Sequence, residues 1–212
     1  MSLTLNLASF TASTRALGPG LRSAIWVQGC ALHCPGCIVP EWQEKVNNLL
    51  LTVDQVADWI YSTPSISGLT ISGGEPTLQA EALCELIMRV KKRRDLDVIC
   101  FTGYPLEYLM GQMAAHPAIS QLLDLLDVLI DGPYIQKLDD NKGLRGSSNQ
   151  RIHHLTPRLS YFDFENAPRS AEFHIFNREM ILVGVPPRGV LPAFEDVSRQ
   201  LQESSWLVEE VK

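Results

Sequence analysis

Three cysteines at Cys30, Cys34 and Cys37 stand within eight residues, and about forty residues later the chain reads Gly73-Gly-Glu-Pro76. Three thiolates on so short a loop can ligate three of the four irons of a cubane, whereas a purely structural cluster takes four cysteines. The fourth iron is then free for a small molecule. The spacing alone leaves two other readings open. A zinc site prefers four ligands and would have to recruit His33 or a distant residue, and incidental thiols also occur in loops. Pro35 and Gly36 punctuate the segment and keep it from becoming a helix, so the three side chains can converge.

The second motif also has two readings. Gly73 and Gly74 can be an ordinary strand-ending turn. They can equally let the backbone approach a ligand and present carbonyls to its ammonium group, because they lack a Cβ. Glu75 adds a carboxylate near the same cation, and Pro76 fixes the exit into the next element. No acid-base pair or nucleophilic triad is visible.

Residues positioned like these need a framework, and the pattern supplies one. Leu21 to Val27 reads as a strand delivering the cysteine loop, which runs from Gly29 to about Pro40. Thr52-x-x-Gln55 is a capping box that opens a helix with Val53, Val56 and Ile60 on one face. Leu69 to Ile71 is a short strand ending in the Gly-Gly loop, followed by a helix from about Leu78 to Arg93. Val98 to Phe101 is a strand that breaks at Gly103. One helical stretch from about Leu106 to Leu125 precedes a strand from Asp127 to Ile130, which breaks at Asp131-Gly-Pro133. Alternating strands and helices predict an α/β fold with a mostly parallel sheet.

In such folds the ligand site lies at the C-terminal ends of the strands. Cys30 to Cys37, Gly73 to Pro76, Thr102-Gly-Tyr104 and Asp131 to Pro133 each follow an expected strand directly. The strand count before residue 135 reaches only about half of an eight-stranded barrel, so an open, partial barrel is expected. Beyond residue 152 a hairpin is expected from Phe173–Phe176 and Met180–Val185 around Asn177-Arg178. A helix is expected from Ala193 to Leu201, and extended chain at Trp206–Val208.

Composition narrows the class. The chain has 212 residues, 45% hydrophobic, enough to bury a full core, and its length argues for one domain. The N-terminus lacks the basic and apolar regions of a signal peptide, and Asp124 and Asp127 interrupt the most apolar stretch, so a soluble cytoplasmic protein is expected. A net charge of -6 disfavours a nucleic-acid surface. The basic run Lys91 to Arg94 reads as a solvated helix C-terminus. Five cysteines, three of them clustered, do not make a disulfide scaffold and fit a reducing compartment. Cys84 and Cys100 read as core residues. His33 reads as a loop residue, and His153-His154 as a strand-end pair.

The segment Cys30-Ala-Leu-His-Cys-Pro-Gly-Cys37 resembles the cluster loop of the radical S-adenosylmethionine (SAM) enzymes, and Gly73-Gly-Glu-Pro76 resembles their motif for the SAM amino group. Gly18-Pro-Gly-Leu-Arg22, Trp26-Val-Gln-Gly-Cys30, Cys34-Pro-Gly-Cys37, Asp127-Val-Leu-Ile-Asp-Gly-Pro-Tyr134 and Leu144-Arg-Gly-Ser-Ser-Asn-Gln150 are more specific. In that order they resemble the activating enzymes of anaerobic ribonucleotide reductase, whose relatives serve pyruvate formate-lyase. Gly36 stands where the wider superfamily usually has an aromatic, and it matches the activase-like form.

The resemblance implies a single radical SAM domain of the open-barrel type, with a family-like core at about 18–151 and an extension at 152–212. It implies a [4Fe-4S] cluster on Cys30, Cys34 and Cys37, with SAM bound by Gly73, Gly74 and Glu75. Thr102 and Asp131 are further candidates for the SAM or a nearby cation. Reductive cleavage of SAM would give a 5′-deoxyadenosyl radical that installs a glycyl radical on a partner enzyme, with flavodoxin or ferredoxin as electron donor. The resemblance implies no catalytic side chain, since the cofactors carry the chemistry. Arg145 to Asn149 together with Asp131 to Tyr134 would close over the cofactor or receive the partner's glycine loop. The alternatives are a radical SAM enzyme modifying a peptide or small molecule, and a non-catalytic iron-sulfur or zinc interaction protein. No auxiliary cluster cysteines follow Cys100, and the extension leaves the partner's identity open.

Overall fold

A computed structural model describes residues 2–176 and 179–205. Its main sheet has seven strands in the order β3-β1-β2-β4-β5-β6-β7. They are β1 (Thr4–Thr14), β2 (Arg22–Val27), β3 (Leu49–Thr52), β4 (Gly68–Gly73), β5 (Asp97–Phe101), β6 (Val128–Asp131) and β7 (Arg151–His154). The four central strands β2, β4, β5 and β6 are parallel. The flanking pairs β1–β2, β1–β3 and β6–β7 are antiparallel. The sheet is therefore mixed, and parallel only across its centre.

The central strands are buried on both faces, as a parallel sheet requires. Ile25, Val27, Leu69, Ile71, Val98, Cys100 and Leu129 turn one way, into a core with α1 (Val53–Ser62), α2 (Ala80–Lys91) and α4 (Pro117–Leu125). Their sequence neighbours turn the other way. Ile99, Val128 and Ile130 meet Leu144, Leu159 and Phe164, while Ala24 and Trp26 meet Leu17 and Val183. Helix α1 starts at the expected capping box, Thr52 Oγ1 accepting from the Gln55 amide at 3.2 Å while the Thr52 amide donates to Gln55 Oε1 at 2.8 Å.

Two expectations change. The single helical stretch from Leu106 to Leu125 is two helices, α3 (Leu106–Gln112) and α4, because Pro117 cannot donate a helical hydrogen bond and occupies the first turn of a new helix. Strands β1, β3 and β7 were not expected. The edge strands β3 and β7 are only four residues long and give little alternation to read, while β1, inside the sheet, is long but shifts register before Ser9 and again before Thr14.

The expected hairpin forms from β8 (Ala171–Phe176) and β9 (Glu179–Gly184), an antiparallel pair separate from the main sheet. Ile181 and Val183 pack it over Ala24 and Trp26 of β2. Helix α5 (Val190–Ser205) follows, and Phe194 stacks on Phe173 with ring centroids 5.8 Å apart. The expectations for Asn177-Arg178 and for Trp206–Val208 lie outside the described residues. Among the described residues no helix is long and apolar enough to cross a membrane.

Candidate functional site

The four singled-out loops leave the C-terminal ends of the four parallel strands. After Val27 the chain enters the cysteine loop through Gly29, whose φ of 96° is open chiefly to glycine. The loop returns through a 3-10 turn at Pro40–Gln43. Two ladder-like bonds close its base, from the Gly29 amide to the Trp42 carbonyl at 2.8 Å and from the Cys30 amide to the Gln43 carbonyl at 3.0 Å. His33 takes a φ of 47° at the outer bend and its Nδ1 lies 3.1 Å from Gln43 Oε1, so it serves the loop's shape. The Cys37 amide donates to the Cys34 carbonyl at 3.2 Å, a tight turn that holds these two residues together.

All three thiols are free; Cys30 is buried, and Cys34 and Cys37 are half-buried. Burial pushes the Cys30 thiol up. The Leu32 amide, 3.4 Å from its sulfur, acts in the opposite direction and favours the thiolate. Among the described residues no three His, Cys, Asp or Glu side chains are gathered closely enough for one metal ion. A tetrahedral zinc ion would need its thiolates within roughly 4 Å of one another, given Zn–S bonds of about 2.3 Å. A cluster offers each thiolate a separate iron and asks for no such convergence. Three free thiols on a non-helical loop, one with an amide directed at its sulfur, fit an iron-sulfur group.

Cys84 and Cys100 sit in the core among the helices. Burial raises the Cys84 thiol to about 11 and pushes the Cys100 thiol well above its ordinary value.

The Gly73–Pro76 loop is bonded directly to the cysteine loop. The Gly74 amide donates to the Val27 carbonyl at 2.7 Å and the Glu75 amide to the Gly29 carbonyl at 2.8 Å. A Cβ on Gly73 would strike the Val27 backbone, and one on Gly74 the Gly29 carbonyl. The close approach expected of these glycines toward a ligand is made here toward the neighbouring strand end, and it joins the two motifs into one unit.

Glu75 is fully buried. Its Oε1 accepts from the Thr77 amide at 3.0 Å, the Thr77 hydroxyl at 2.7 Å and the Thr102 hydroxyl at 2.9 Å, and its Oε2 accepts from the Gly103 amide at 2.9 Å. Burial raises its pKa against the pull of these donors. Thr102 is thus brought to Glu75, and its hydroxyl also accepts from the Tyr104 amide at 3.2 Å.

Asp131 stands apart from this group. Strand alternation turns it with Leu129 toward the helices, where Oδ2 accepts from the first amide of α3, Leu106, at 2.6 Å. Arg151 reaches both carboxylate oxygens, at 3.1 and 2.6 Å, and His153 Nε2 lies 3.0 Å away. Burial alone would raise its pKa; the hydrogen bonds from Arg151 and Leu106, with His153 close by, outweigh it and hold Asp131 below the ordinary carboxylate value. The cation beside Asp131 is the chain's own arginine. His153 and His154 lie within β7, His154 set edge-on to Phe164 at 5.5 Å.

The polar loop at Arg145–Gln150 is bonded largely within itself and to its flanks, although Arg145 Nε and Asn149 Oδ1 are buried without a partner among the described residues. Arg145 bonds to Asp140 at 3.2 Å and to the Ser148 and Gln150 carbonyls, and its side chain is only 13% exposed. Arg169 of the extension bonds to the Arg145 carbonyl at 2.7 Å and pairs with Asp139 at 2.9 Å. Gln150 and Asn149 bind the carbonyls of Gly132 and Pro133, so the expected unit with Asp131–Tyr134 does form, but Arg145 is spent on shaping it. The basic run is likewise structural: Lys91 bonds to the Leu125 carbonyl at 2.8 Å, Arg94 to the Tyr61 and Thr63 carbonyls, and Arg93 lies over the Tyr61 ring.

Sequence reasoning passed over Gln28, Gln79 and Gln136. Gln28 sits inside the quoted Trp26–Cys30 stretch, and Gln136 touches Gly36 of the cysteine loop. Nothing in the local pattern marked Gln79.

Residues 16–153 match the model of the 4Fe-4S single cluster domain, and the chain belongs to that family. It is similar to named reductase-activating proteins. Identity is 33% over 147 residues to the anaerobic ribonucleoside-triphosphate reductase-activating protein of Escherichia coli strain K12, covering 65% of this chain and 91% of that one. It is 37% over 144 residues to the protein of the same name from Haemophilus influenzae, covering 64% and 89%, and 34% over 140 residues to that of Enterobacteria phage T4, covering 64% and 85%. The chain is thus an activase-like iron-sulfur protein. The hairpin β8–β9 and α5 lie beyond the matched span.

Proposed function

We propose that this protein is a radical SAM enzyme that activates an anaerobic ribonucleotide reductase by installing a glycyl radical. The observation that carries the reading is the joining of two motifs at one end of the parallel strands: Cys30, Cys34 and Cys37 on one loop, bonded through Gly29 to the Gly73–Glu75 loop. The four parallel strands and their helices would be an open half-barrel of the radical SAM type, forming one domain with the extension packed on it.

In this reading Cys30, Cys34 and Cys37 ligate three irons of a [4Fe-4S] cluster, and Cys34 and Cys37 stand half-exposed where an electron donor such as flavodoxin or ferredoxin can reach. A bound, reduced cluster would supply one electron for cleavage of the C5′–S bond of SAM, giving methionine and a 5′-deoxyadenosyl radical that would take a hydrogen atom from the partner's glycine. Gly73 and Gly74 place backbone beside the SAM amino group. Glu75, held by neutral donors, directs negative potential there, and Thr102 keeps its carboxylate in place. Asp131 organises the neighbouring α3 terminus with Arg151. The relatives' printed name, the reductase-activating protein, supports the choice of partner.

Anaerobic reconstitution should give about four irons and four sulfides per chain. Dithionite and SAM should then yield 5′-deoxyadenosine, and added anaerobic ribonucleoside-triphosphate reductase should acquire a glycyl-radical resonance. A fully loaded protein that forms no 5′-deoxyadenosine would overturn the proposal. Cleavage without any radical on the reductase would overturn the choice of partner.

A further inference from the structure

Beneath the cysteine loop Gln28 and Gln79 form a hydrogen-bonded chain, the Gln79 carboxamide reaching the backbone carbonyl of Gln28. Gln28, between β2 and Gly29, is 5% exposed. Its Nε2 donates to the carbonyls of Glu41 at 3.2 Å, within the turn that returns the loop, and Glu44 at 2.8 Å, just after it. Its Oε1 accepts from Asn48 Nδ2 at 3.2 Å. Gln79 enters from the other motif, at the end of the 3-10 turn that Pro76 opens. Its Nε2 donates to the carbonyls of Asn6 at 2.9 Å and Gln28 at 3.1 Å, and its Oε1 accepts from the Asn6 amide at 2.8 Å. Both carboxamides use their donors and their acceptor.

The location gives this chain its importance. Paired residues of β1 and β2 end at Leu7 and Val27, and beyond them single backbone bonds, from the Gln28 amide to the Asn6 carbonyl at 2.8 Å and from the Gly29 and Cys30 amides to Trp42 and Gln43, lead into the loop. Residues 44–50 of the returning limb are exposed and have no apolar core of their own. A loop held only by these few backbone bonds must be further ordered at the moment it binds a cluster, and that entropy weakens binding, so side-chain ties that order it beforehand favour the bound state. Neutral carboxamides suit the position because each both donates and accepts, whereas a carboxylate at Gln28 would face two carbonyl oxygens.

We propose that Gln28 and Gln79 are positioning residues that hold the cysteine loop and the Gly73–Pro76 loop in a fixed relation, preordering the thiols for the cluster. The functional side of this inference rests on the iron-sulfur reading, but the geometry does not.

Gln28→Met keeps the length of the side chain and deletes its three bonds. In the unloaded protein, limited proteolysis within residues 31–47 should accelerate about ten-fold, the effect on a local opening equilibrium expected for one net hydrogen bond or slightly more. After reconstitution, iron release to a chelator should accelerate by about the same factor, and the SAM-dependent change in the reduced cluster's paramagnetic resonance should weaken. Gln79→Met, which deletes one tie to the Gln28 carbonyl, should weaken that spectral change and accelerate proteolysis of the cysteine loop by about three-fold, less than Gln28→Met does. Wild-type proteolysis and iron release in Gln28→Met would overturn the proposal. If that variant fails to fold, Asn48→Ala on the exposed limb serves instead: cleavage about three-fold faster supports the clamp, and an unchanged rate overturns it. If wild-type protein takes up no iron, the function proposed above falls while the proteolysis comparison still decides the clamp.

Discussion

At the start of the central strands the buried charges of Arg22, Asp97 and Asp127 stand beside opposite charges, while at the strand ends, among the described residues, the Glu75 carboxylate is held by neutral donors next to the three thiols. Arg22, fully buried, pairs with Asp97 at 2.5 Å and donates to Thr70 and the Leu69 carbonyl. Beside it Asp127 accepts from the Val98 amide at 2.8 Å and the Thr156 hydroxyl at 2.6 Å, with Lys91 at 3.5 Å. At the opposite end, among the described residues, Glu75 is held by hydroxyls and amides alone. A salt-bridged carboxylate has already neutralised its charge, whereas one held by neutral donors still attracts a ligand's cation. One end of the sheet is closed electrostatically, and the other keeps its chemistry available.

Removing a thiol should break this contrast most completely. Cys34→Ala or Cys37→Ala should reduce 5′-deoxyadenosine formation to the reagent background while leaving the thermal midpoint of the unloaded protein nearly unchanged, since both residues are half-buried. Cleavage at the wild-type rate in either variant would sink the cluster assignment.

The closed end should respond in the opposite sense, through stability alone. Asp97→Ala leaves Arg22 buried without its counter-charge and should cost about 3–5 kcal/mol in urea unfolding, while replacing both residues with apolar side chains of similar volume should recover most of the loss. Product per folded molecule should not change. A loss of cleavage at full occupancy of the folded state would show that the two ends are coupled.

Gly74→Ala tests whether the two site motifs are one unit. A methyl group driven toward the Gly29 carbonyl should cost about 1–3 kcal/mol as overpacking, and iron content should fall together with SAM binding. SAM binding lost at full iron content would restore the simpler picture, in which Gly74 faces the ligand only.

Asp131 marks the boundary between the two regimes, a paired carboxylate at the open end. Asp131→Asn should lose about 1.5–3 kcal/mol at pH 7, the value of hydrogen bonds to a charged group. The folded pKa lies below the ordinary aspartate value of 3.8, so the stabilisation is full above that value and is lost as pH falls through the folded one. Unfolding curves of wild type and variant should converge on acidification; a constant difference down to pH 3 would count against the charge. Glu75 has the opposite sign: its pKa is raised above the usual 4.5, so ionising it removes stability as pH rises through that window.

The smallest effect should come from the basic run. Arg93 lies 4.7 Å from the Tyr61 ring centroid, and Arg93→Ala should cost no more than about 1 kcal/mol, read from the shift in thermal midpoint.

Much of the site's placement was legible because strand ends and glycine loops leave local marks. The capping box at Thr52, the strand before Cys30 and the hairpin at 171–184 all follow from short-range rules. The break at Pro117 was legible in principle, since proline cannot continue a helix, but the flanking apolar periodicity concealed it. The edge strands were not readable, because Arg151-Ile-His-His154 forms a strand only when β6 offers it a ladder. Arg145 shows the same limit: a polar loop reads as exposed, and only the folded chain brings Asp140 and the Gln150 carbonyl to it.

The sequence by itself determined the kinds of chemistry available: three thiols on a loop that cannot be helical, two glycines and a carboxylate after a strand, and an α/β alternation that sends both loops to the same side. Tertiary structure decided which groups remained free to use that chemistry. Parallel pairing of β2 with β4 set Gly74 against Gly29 and let Gln79 reach Gln28, contacts between residues about fifty positions apart. Strand alternation turned Asp131 to Arg151, and the loop after β4 set Glu75 against the Thr77, Thr102 and Gly103 donors. Residue types set what a side chain can donate or accept, but its partner depends on distances that exist only after the sheet has formed.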